Sequence, residues 1–204
     1  MARSRRQLAF CVLAFLVCRS SAVAQAVEPR DTRILLETGA FDPLRGPQRI
    51  PPELRLESEE ATDRWIVQFR APLTRAQRER LTREFGLKLT RYIPNFAYLE
   101  RISRADLERL RRLDIVRAAV AYQPAFKISP RIGRVPFRTP GRRAMTGFLL
   151  YAVLFEDVDP EAVAATIRAL PGVSNLEVHD LRRFGAPPRL EFRLASRSGL
   201  PAIA

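Results

Sequence analysis

Very few side chains in this chain have the types and spacing that catalysis requires. The one histidine, His179, has no serine motif to serve, because the sequence lacks Asp-Ser-Gly, Asp-Thr-Gly, His-Gly-Thr and Gly-Thr-Ser. A serine nucleophile needs a base positioned beside it. We therefore expect no Ser-His-Asp arrangement here.

Metal and cofactor sites are equally unsupported by the residue pattern. A single histidine cannot supply the usual zinc ligands, and both cysteines, Cys11 and Cys18, lie near the N-terminus. The nine glycines form neither GxGxxG nor a phosphate-binding loop. The sequence predicts a chain that is not an enzyme, with no catalytic, cofactor-binding or metal residue.

Residues 1–26 have the three parts of a secretory signal peptide. A basic start precedes the apolar run Leu8 to Cys18, and Ala24 and Ala26 form a small-residue cleavage site. The eleven apolar residues fall well short of the roughly 20 that span a bilayer, which argues against a stable membrane anchor. We expect the protein to be secreted or periplasmic, and the mature chain left after cleavage to contain no cysteine.

The formal charge of +13 falls to +9 when the four arginines of the signal segment are removed. Basic chains often bind nucleic acid or membranes. However, only Lys88 and Lys127 are lysines, and an arginine excess beside abundant alanine and proline is typical of a GC-rich genome. An acidic partner surface is the alternative explanation of the charge.

The chain between the signal and its end divides into four segments. Residues 27–62 contain five prolines and little periodicity, which predicts an extended leader. Residues 125–145 have the proline, glycine and arginine content of a linker. These segments flank a first module at 63–124 and precede a second at 146–204.

The first module alternates strand and helix patterns. Period-two alternation in RWIVQFR, residues 64–70, predicts a strand, and Thr74 with Gln77 forms a capping box for a helix that ends at Gly86. Further strands are predicted over 87–93, 96–102 and 116–122, with a second helix after Ser103. The order β-α-β-β-α-β predicts a ferredoxin-like α+β module, with both helices on one face of the sheet and the other face free.

The second module repeats this order only in part. An apolar strand over 148–155, a helix capped by Asp159 and strands over 173–178 and 189–194 predict β-α-β-β, without the last helix and strand. In a ferredoxin-like sheet the missing strand would lie beside the first. The strand over 148–155 is therefore expected to be an open apolar edge, and such edges recruit partners or aggregate.

Several segments together resemble the propeptide region of secreted bacterial subtilisin-like serine proteases. They are RWIVQF, GLKLTRYIPNFAYLERI and LRRLDIVRAAVAYQPAFKISP, with TGAFDPLRGP upstream, and they cover most of residues 34–130. Residues 146–204 look like a second, more divergent repeat. The resemblance implies a non-catalytic intramolecular inhibitor and folding assistant, whose partner is a subtilisin-like protease domain, in cis or in trans.

The resemblance also implies an extended tail that enters the protease cleft by adding to its strands. The candidate protease-contacting residues are Tyr122, Gln123, Pro124, Ala125, Phe126 and Lys127. The alternative is that this segment only caps the first module and leads into the linker.

Two other functions remain open. A stand-alone extracytoplasmic binding or scaffold protein could use the same fold, because fold alone does not determine function. An RNA-binding module shares the element order, and Phe96 and Tyr98 would then form its platform. The segment FAYLERI lacks the basic, glycine-rich signature of such modules, so we expect no nucleic-acid partner.

The signal peptide can be tested directly. We expect the exported product to begin at Val27, because cleavage follows the small residue Ala26. Mass spectrometry of the protein recovered from the periplasm or medium measures this. A recovered product that still begins at Met1 would refute the assignment.

Overall fold

The structure is a computed structural model that describes residues 31–45, 49–134, 139–143 and 146–204. The predicted signal peptide and its cleavage residues, Ala24 and Ala26, lie outside the described residues. Residues Asp31–Ala204 belong to one compact unit.

The leader is more ordered than its prolines predict. Strands β1 (Ile34–Leu36) and β2 (Gly39–Phe41) pair antiparallel as a hairpin, and 3-10 turns follow at Pro52–Leu54 and Glu59–Ala61. Gly39 adopts a φ of +134° at the turn, which side chains disfavour. The expectation of an extended leader is therefore wrong for this hairpin, because its apolar residues find a surface to pack on.

The first module has the predicted order of elements. Its strands are β3 (Arg64–Phe69), β4 (Tyr92–Ile93), β5 (Ala97–Arg101) and β6 (Val116–Ala121), and its helices are α1 (Arg75–Phe85) and α2 (Arg104–Arg111). The strands form one sheet in the order β4-β5-β3-β6, with every neighbouring pair antiparallel. A 3-10 turn at Pro124–Lys127 follows it.

The predicted helix caps are confirmed. The Thr74 hydroxyl accepts from the amide of Gln77 at 3.3 Å, and the Gln77 side chain accepts from the amide of Thr74 at 2.8 Å. Gly86 ends α1 with a φ of +67°, and the Ser103 hydroxyl accepts from the amide of Asp106 at the start of α2. These local interactions fix both ends of α1 and the start of α2.

Strand β4 is much shorter than the strand predicted over 87–93. The carboxylate of Glu100 accepts from the amides of Lys88 at 3.0 Å and Leu89 at 2.7 Å, so these groups do not join a strand ladder. Glu100 is buried, and burial raises the pKa of its carboxyl. A side chain on β5 thus replaces the first half of the predicted strand.

The second module contains β7 (Phe148–Val153), α4 (Pro160–Arg168), β8 (Val173–His179), β9 (Arg189–Leu194) and α5 (Leu200–Ile203), after a short α3 (Pro140–Arg143). Its antiparallel sheet has the order β7-β9-β8. Asp159 caps α4 as predicted, and β7 ends two residues before the predicted Phe155. The described chain is an α+β protein with antiparallel sheets.

Each module has its own core. In the first, Trp65, Val67 and Phe69 face Leu81 of α1 and Leu107 of α2. The core of the second module lies between the sheet and α4, and its fully or nearly buried members are Leu150, Leu154, Ala164, Ile167, Leu190, Phe192, Leu194 and Leu200. Helices therefore cover one face of each sheet.

Two glycines of the second module allow a matched test of its packing. Gly147 and Gly185 both have positive φ, but a Cβ at Gly147 would lie 2.6 Å from the carbonyl oxygen of Leu194, whereas a Cβ at Gly185 would meet nothing within 4 Å. We expect Gly185→Ala to cost about 1 kcal/mol of unfolding free energy, the ordinary penalty of the left-handed region. Gly147→Ala should cost clearly more, because it also pushes β7 away from β9. Urea unfolding of both variants measures the difference, and equal losses would contradict the close approach.

Candidate binding site

The face of the first sheet opposite its helices is not free. Ile34 and Phe41 of the leader hairpin pack with Ile66 of β3 and Ala97 of β5, and all four are buried. The expectation of a bare face is therefore wrong for this sheet. The apolar residues at alternate positions of β3 and β5 need a cover, and the leader supplies it.

A buried amide and an arginine hold the hairpin in place. The Gln68 side chain donates to the carbonyl oxygens of Thr32 at 2.9 Å and Asn95 at 3.0 Å, and its oxygen accepts from Arg117 at 2.7 Å. The other guanidinium nitrogen of Arg117 donates to Asp42 at 2.8 Å. We call Gln68, Arg117 and Asp42 the polar clasp. It satisfies polar groups that would be costly to bury alone.

Arg117 also shifts the pKa of its carboxylate partner. Its hydrogen bond, with a smaller contribution from the amide of Leu44, holds the pKa of Asp42 below its ordinary value. The side chains of Arg117 and Asp42 are only 11% and 16% exposed, so the pair is shielded from solvent. The leader is thus attached by a charged contact as well as by packing.

The predicted tail, residues 122–127, is folded against the first module rather than extended. The ring of Phe126 stacks on that of Phe41 at 5.6 Å, and the Gln123 side chain accepts from the amide of Leu56 at 2.9 Å. Tyr122 and Phe126 both join the cluster beneath the leader hairpin. This placement matches the capping alternative, and a contact with a protease stays a prediction.

Phe155, just beyond β7, is the centre of the contact between the modules. The guanidinium carbons of Arg64 and Arg91 lie 4.1 and 4.7 Å from its ring centre, and the Tyr122 ring meets it edge-on at 6.4 Å. Cations over an aromatic face are attracted to its π electrons. The end of β7 is thereby fixed beside the first sheet.

Asp157 adds an ion pair to the same contact. Arg64 donates to both of its carboxylate oxygens, at 2.7 and 2.8 Å, and Arg101 donates at 2.9 Å. Burial raises the pKa of Asp157, but hydrogen bonds and charge from Arg64 outweigh it and hold the pKa below its ordinary value. One terminal nitrogen of Arg64 contacts both carboxylate oxygens and Arg101 adds a second donor, so charge-assisted hydrogen bonds connect the two modules.

A groove of about 560 Å³ runs along the free edge of β7. Six consecutive residues, Leu150 to Phe155, line it. Because successive residues of a strand point to opposite faces, the groove must border the edge of the strand rather than one face. We call it the edge groove. Its other lining residues are Arg91, Leu99, Tyr122, Lys127, Ile128, Ile132, Val158, Val163, Ile167, Phe192, Leu200, Ile203 and Ala204. Its size falls in the usual range of ligand sites.

The charged side chains that line the edge groove are of one sign. They are Arg91 and Lys127, and no described carboxylate side chain lines it. Burial, and then the charge of Arg64, lower the pKa of Lys127, whose Nζ donates to the backbone oxygen of Ala204. The groove is therefore apolar with a positive end.

The remaining candidates from the sequence are not brought together. His179 ends β8, 3.7 Å from the Glu191 carboxylate and 3.9 Å from that of Glu177, and its Nε2 has no hydrogen-bond partner among the described residues. Tyr98 is buried in the core of the first module, and the partly buried Phe96 packs against that core. Within the described ranges, no three His, Cys, Asp or Glu residues could hold a metal, and no helix could cross a membrane.

Sequence reasoning missed the polar clasp and the edge groove's positive end. Gln68 had a signal, because a polar residue beside Ile66 on the second face of a central strand indicates a partner there. Nothing in the sequence distinguished Arg117 and Arg91 from the many other arginines of the chain, so their roles could not be predicted.

Comparison with known proteins adds one assignment. Residues 35–123 match a family described as a domain of unknown function (DUF8729). The match covers less than half of the chain and spans most of the leader hairpin and the whole first module. No curated protein and no solved structure matches the chain. The match therefore falls on the leader hairpin and the first module and does not reach the second.

The polar clasp makes attachment of the leader dependent on pH. The folded-state pKa of Asp42 is lowered, so its contribution is complete at neutral pH and is lost as the pH falls below about 4 and through the folded pKa. We expect hydrogen-exchange protection of residues 34–41 to drop over that range. Asp42→Asn should lower this protection at neutral pH and flatten its pH dependence.

Asp31→Asn is the matched control. Asp31 pairs with the neighbouring Arg33 at an exposed position, so its loss should leave the hairpin attached. Equal loss of protection in the two variants would refute the role of the clasp.

Proposed function

We propose that this chain is the non-catalytic propeptide region of a secreted subtilisin-like serine protease, which binds the protease domain, restrains it and assists its folding. The observation that carries the proposal is the repeated architecture, β3-α1-β4-β5-α2-β6 followed by β7-α4-β8-β9, with antiparallel sheets. We propose that both units are ferredoxin-like, the second without its last strand. The choice of a protease as the partner rests on the sequence resemblance over residues 34–130, because a fold alone does not determine function.

We place the docking surface on the second sheet. Its face opposite α4 carries Leu149, Tyr151 and Val153, and the last two are 52% and 64% exposed. Arg189 lies 5.7 Å from the Tyr151 ring and borders this apolar strip. Exposed aromatic and aliphatic side chains with a charged border are typical of protein interfaces. The first sheet is less suited, because the leader hairpin covers it.

A stand-alone extracytoplasmic binding protein is the second candidate. Two surfaces with which a propeptide would bind its protease are instead covered by other parts of this chain. They are the face of the first sheet opposite its helices, and residues 122–127. Such a protein would bind a partner through the second module without inhibiting a protease.

Inhibition of a subtilisin-like protease tests the leading proposal. We expect the full chain to inhibit it in the micromolar range or tighter, and Tyr151→Glu with Val153→Glu to weaken inhibition at least about tenfold by placing charge in the interface. Leu44→Glu is the matched control, because Leu44 is 63% exposed and lies on the leader. Enzyme assays with a peptide substrate give the inhibition constants.

The protease assignment fails if the unaltered chain neither inhibits nor binds the enzyme. The docking surface fails if Leu44→Glu weakens inhibition as much as the paired change on β7.

A further inference from the structure

We propose that the edge groove binds one extended strand of a partner polypeptide, which pairs antiparallel with β7 and carries an acidic residue near its N-terminal end. The groove would thus accept a β-strand in trans. The inference does not depend on the partner being a protease.

The free backbone of β7 is the first argument. Among the described strands, in the order β7-β9-β8, β7 has a neighbour on one side only, and no described backbone group outside the sheet bonds to Phe148–Val153. The groove runs along this free side. A strand entering it would satisfy the unpaired N–H and C=O groups, which is how sheet edges bind peptides.

The first module shows what fits beside such a strand. There β3 pairs with β5 on one side and with β6 on the other. In the second sheet β7 pairs with β9 as β3 pairs with β5. The place that β6 fills beside β3 is the place that is free beside β7. Strand β6 reads VRAAVA and runs antiparallel to β3, with the small residues Ala119 and Ala121 in the core. A strand with small apolar side chains is therefore the expected occupant.

The charge of the groove sets the polarity of the occupant. Arg91 lies over Phe155, just beyond the C-terminal end of β7. Its charge acts on the buried Glu100 carboxyl, but no described carboxylate lies within ion-pair distance of its guanidinium group. The N-terminal end of an antiparallel strand would lie at this end. An acidic side chain there would pair with Arg91, while a strand with a basic residue would be disfavoured.

The enclosure of the groove favours a single strand over a second folded copy. Its walls come from Leu99 and Tyr122 of the first module, from Ile128 and Ile132, and from Val163 of α4. A folded sheet edge would collide with such walls, whereas an extended segment needs only the space beside one strand.

A peptide based on the sequence of β6 is the probe. We use acetyl-Val-Glu-Ala-Ala-Val-Ala-amide, in which glutamate replaces the arginine of β6, and measure its binding to the full chain by calorimetry. Two further peptides carry N-methyl groups on either the odd or the even residues. Because alternate N–H groups of a strand point toward its neighbour, one methylated peptide should bind normally and the other at least about tenfold more weakly. Hydrogen exchange should show new protection at residues 148–153.

Charge recognition has its own matched variants. Arg91→Gln should weaken binding of the glutamate peptide about fivefold, as expected for loss of a partly exposed ion pair. Binding of a peptide with glutamine in place of the glutamate should not change. Arg83→Gln should change neither, because Arg83 lies in the last turn of α1, away from the groove.

Five results would overturn the proposal, four of them from the peptide experiments. These four are no binding of the unmethylated peptide, equal binding of both methylated peptides, protection confined to residues 64–69, and displacement of the peptide by dodecanoate. The third would mean exchange with β6, and the fourth a site for acyl chains. A dimer of the chain that the peptide dissociates would assign the edge to a second copy and would also overturn it.

Discussion

Burial of β3 on both faces is the constraint on which the first module depends. Trp65, Val67 and Phe69 pack beneath the helices, while Ile66 and Gln68 lie on the opposite face, and all five are buried. A sheet with two apolar faces needs two covers, because exposed apolar area of this extent is unfavourable in water. The helices provide one cover and the leader hairpin the other. Gln68 can be buried only because Thr32, Asn95 and Arg117 complete its hydrogen bonds.

Within the described part of the chain, neither of the two covers found on the first module is present on the second. No described strand lies on the outer side of β7, and no described hairpin covers the face that carries Tyr151 and Val153. The unsatisfied edge and the exposed face therefore meet on one strand. The contact of Phe155 and Asp157 with the first module fixes the end of that strand, so the free edge is presented in a defined orientation. Binding to a preformed edge avoids much of the entropy cost of ordering it.

The periodicity of the sequence was sufficient to predict which strands and helices form, but not where each of them begins and ends. The alternation in residues 64–70 and the caps at Thr74, Ser103 and Asp159 depend on neighbours close in sequence, and the structure contains the corresponding strand and helices. The strand predicted over 87–93 is reduced to Tyr92–Ile93 because Glu100, on the next strand, takes two of its amides. The sequence left open whether residues 122–127 extend as a tail or cap the first module, because the deciding contact, Phe126 stacked on Phe41, joins segments that are distant in sequence.

The sequence by itself determined the order of strands and helices and the position of most caps, because each depends on residues within a few positions of one another. Only the tertiary structure decided which surfaces remain available. Whether a face or an edge is covered depends on contacts between distant segments, as Arg117 with Asp42 and Phe155 with Arg91 show. Those contacts arise from burial of apolar area and pairing of charges in three dimensions, which local periodicity does not record.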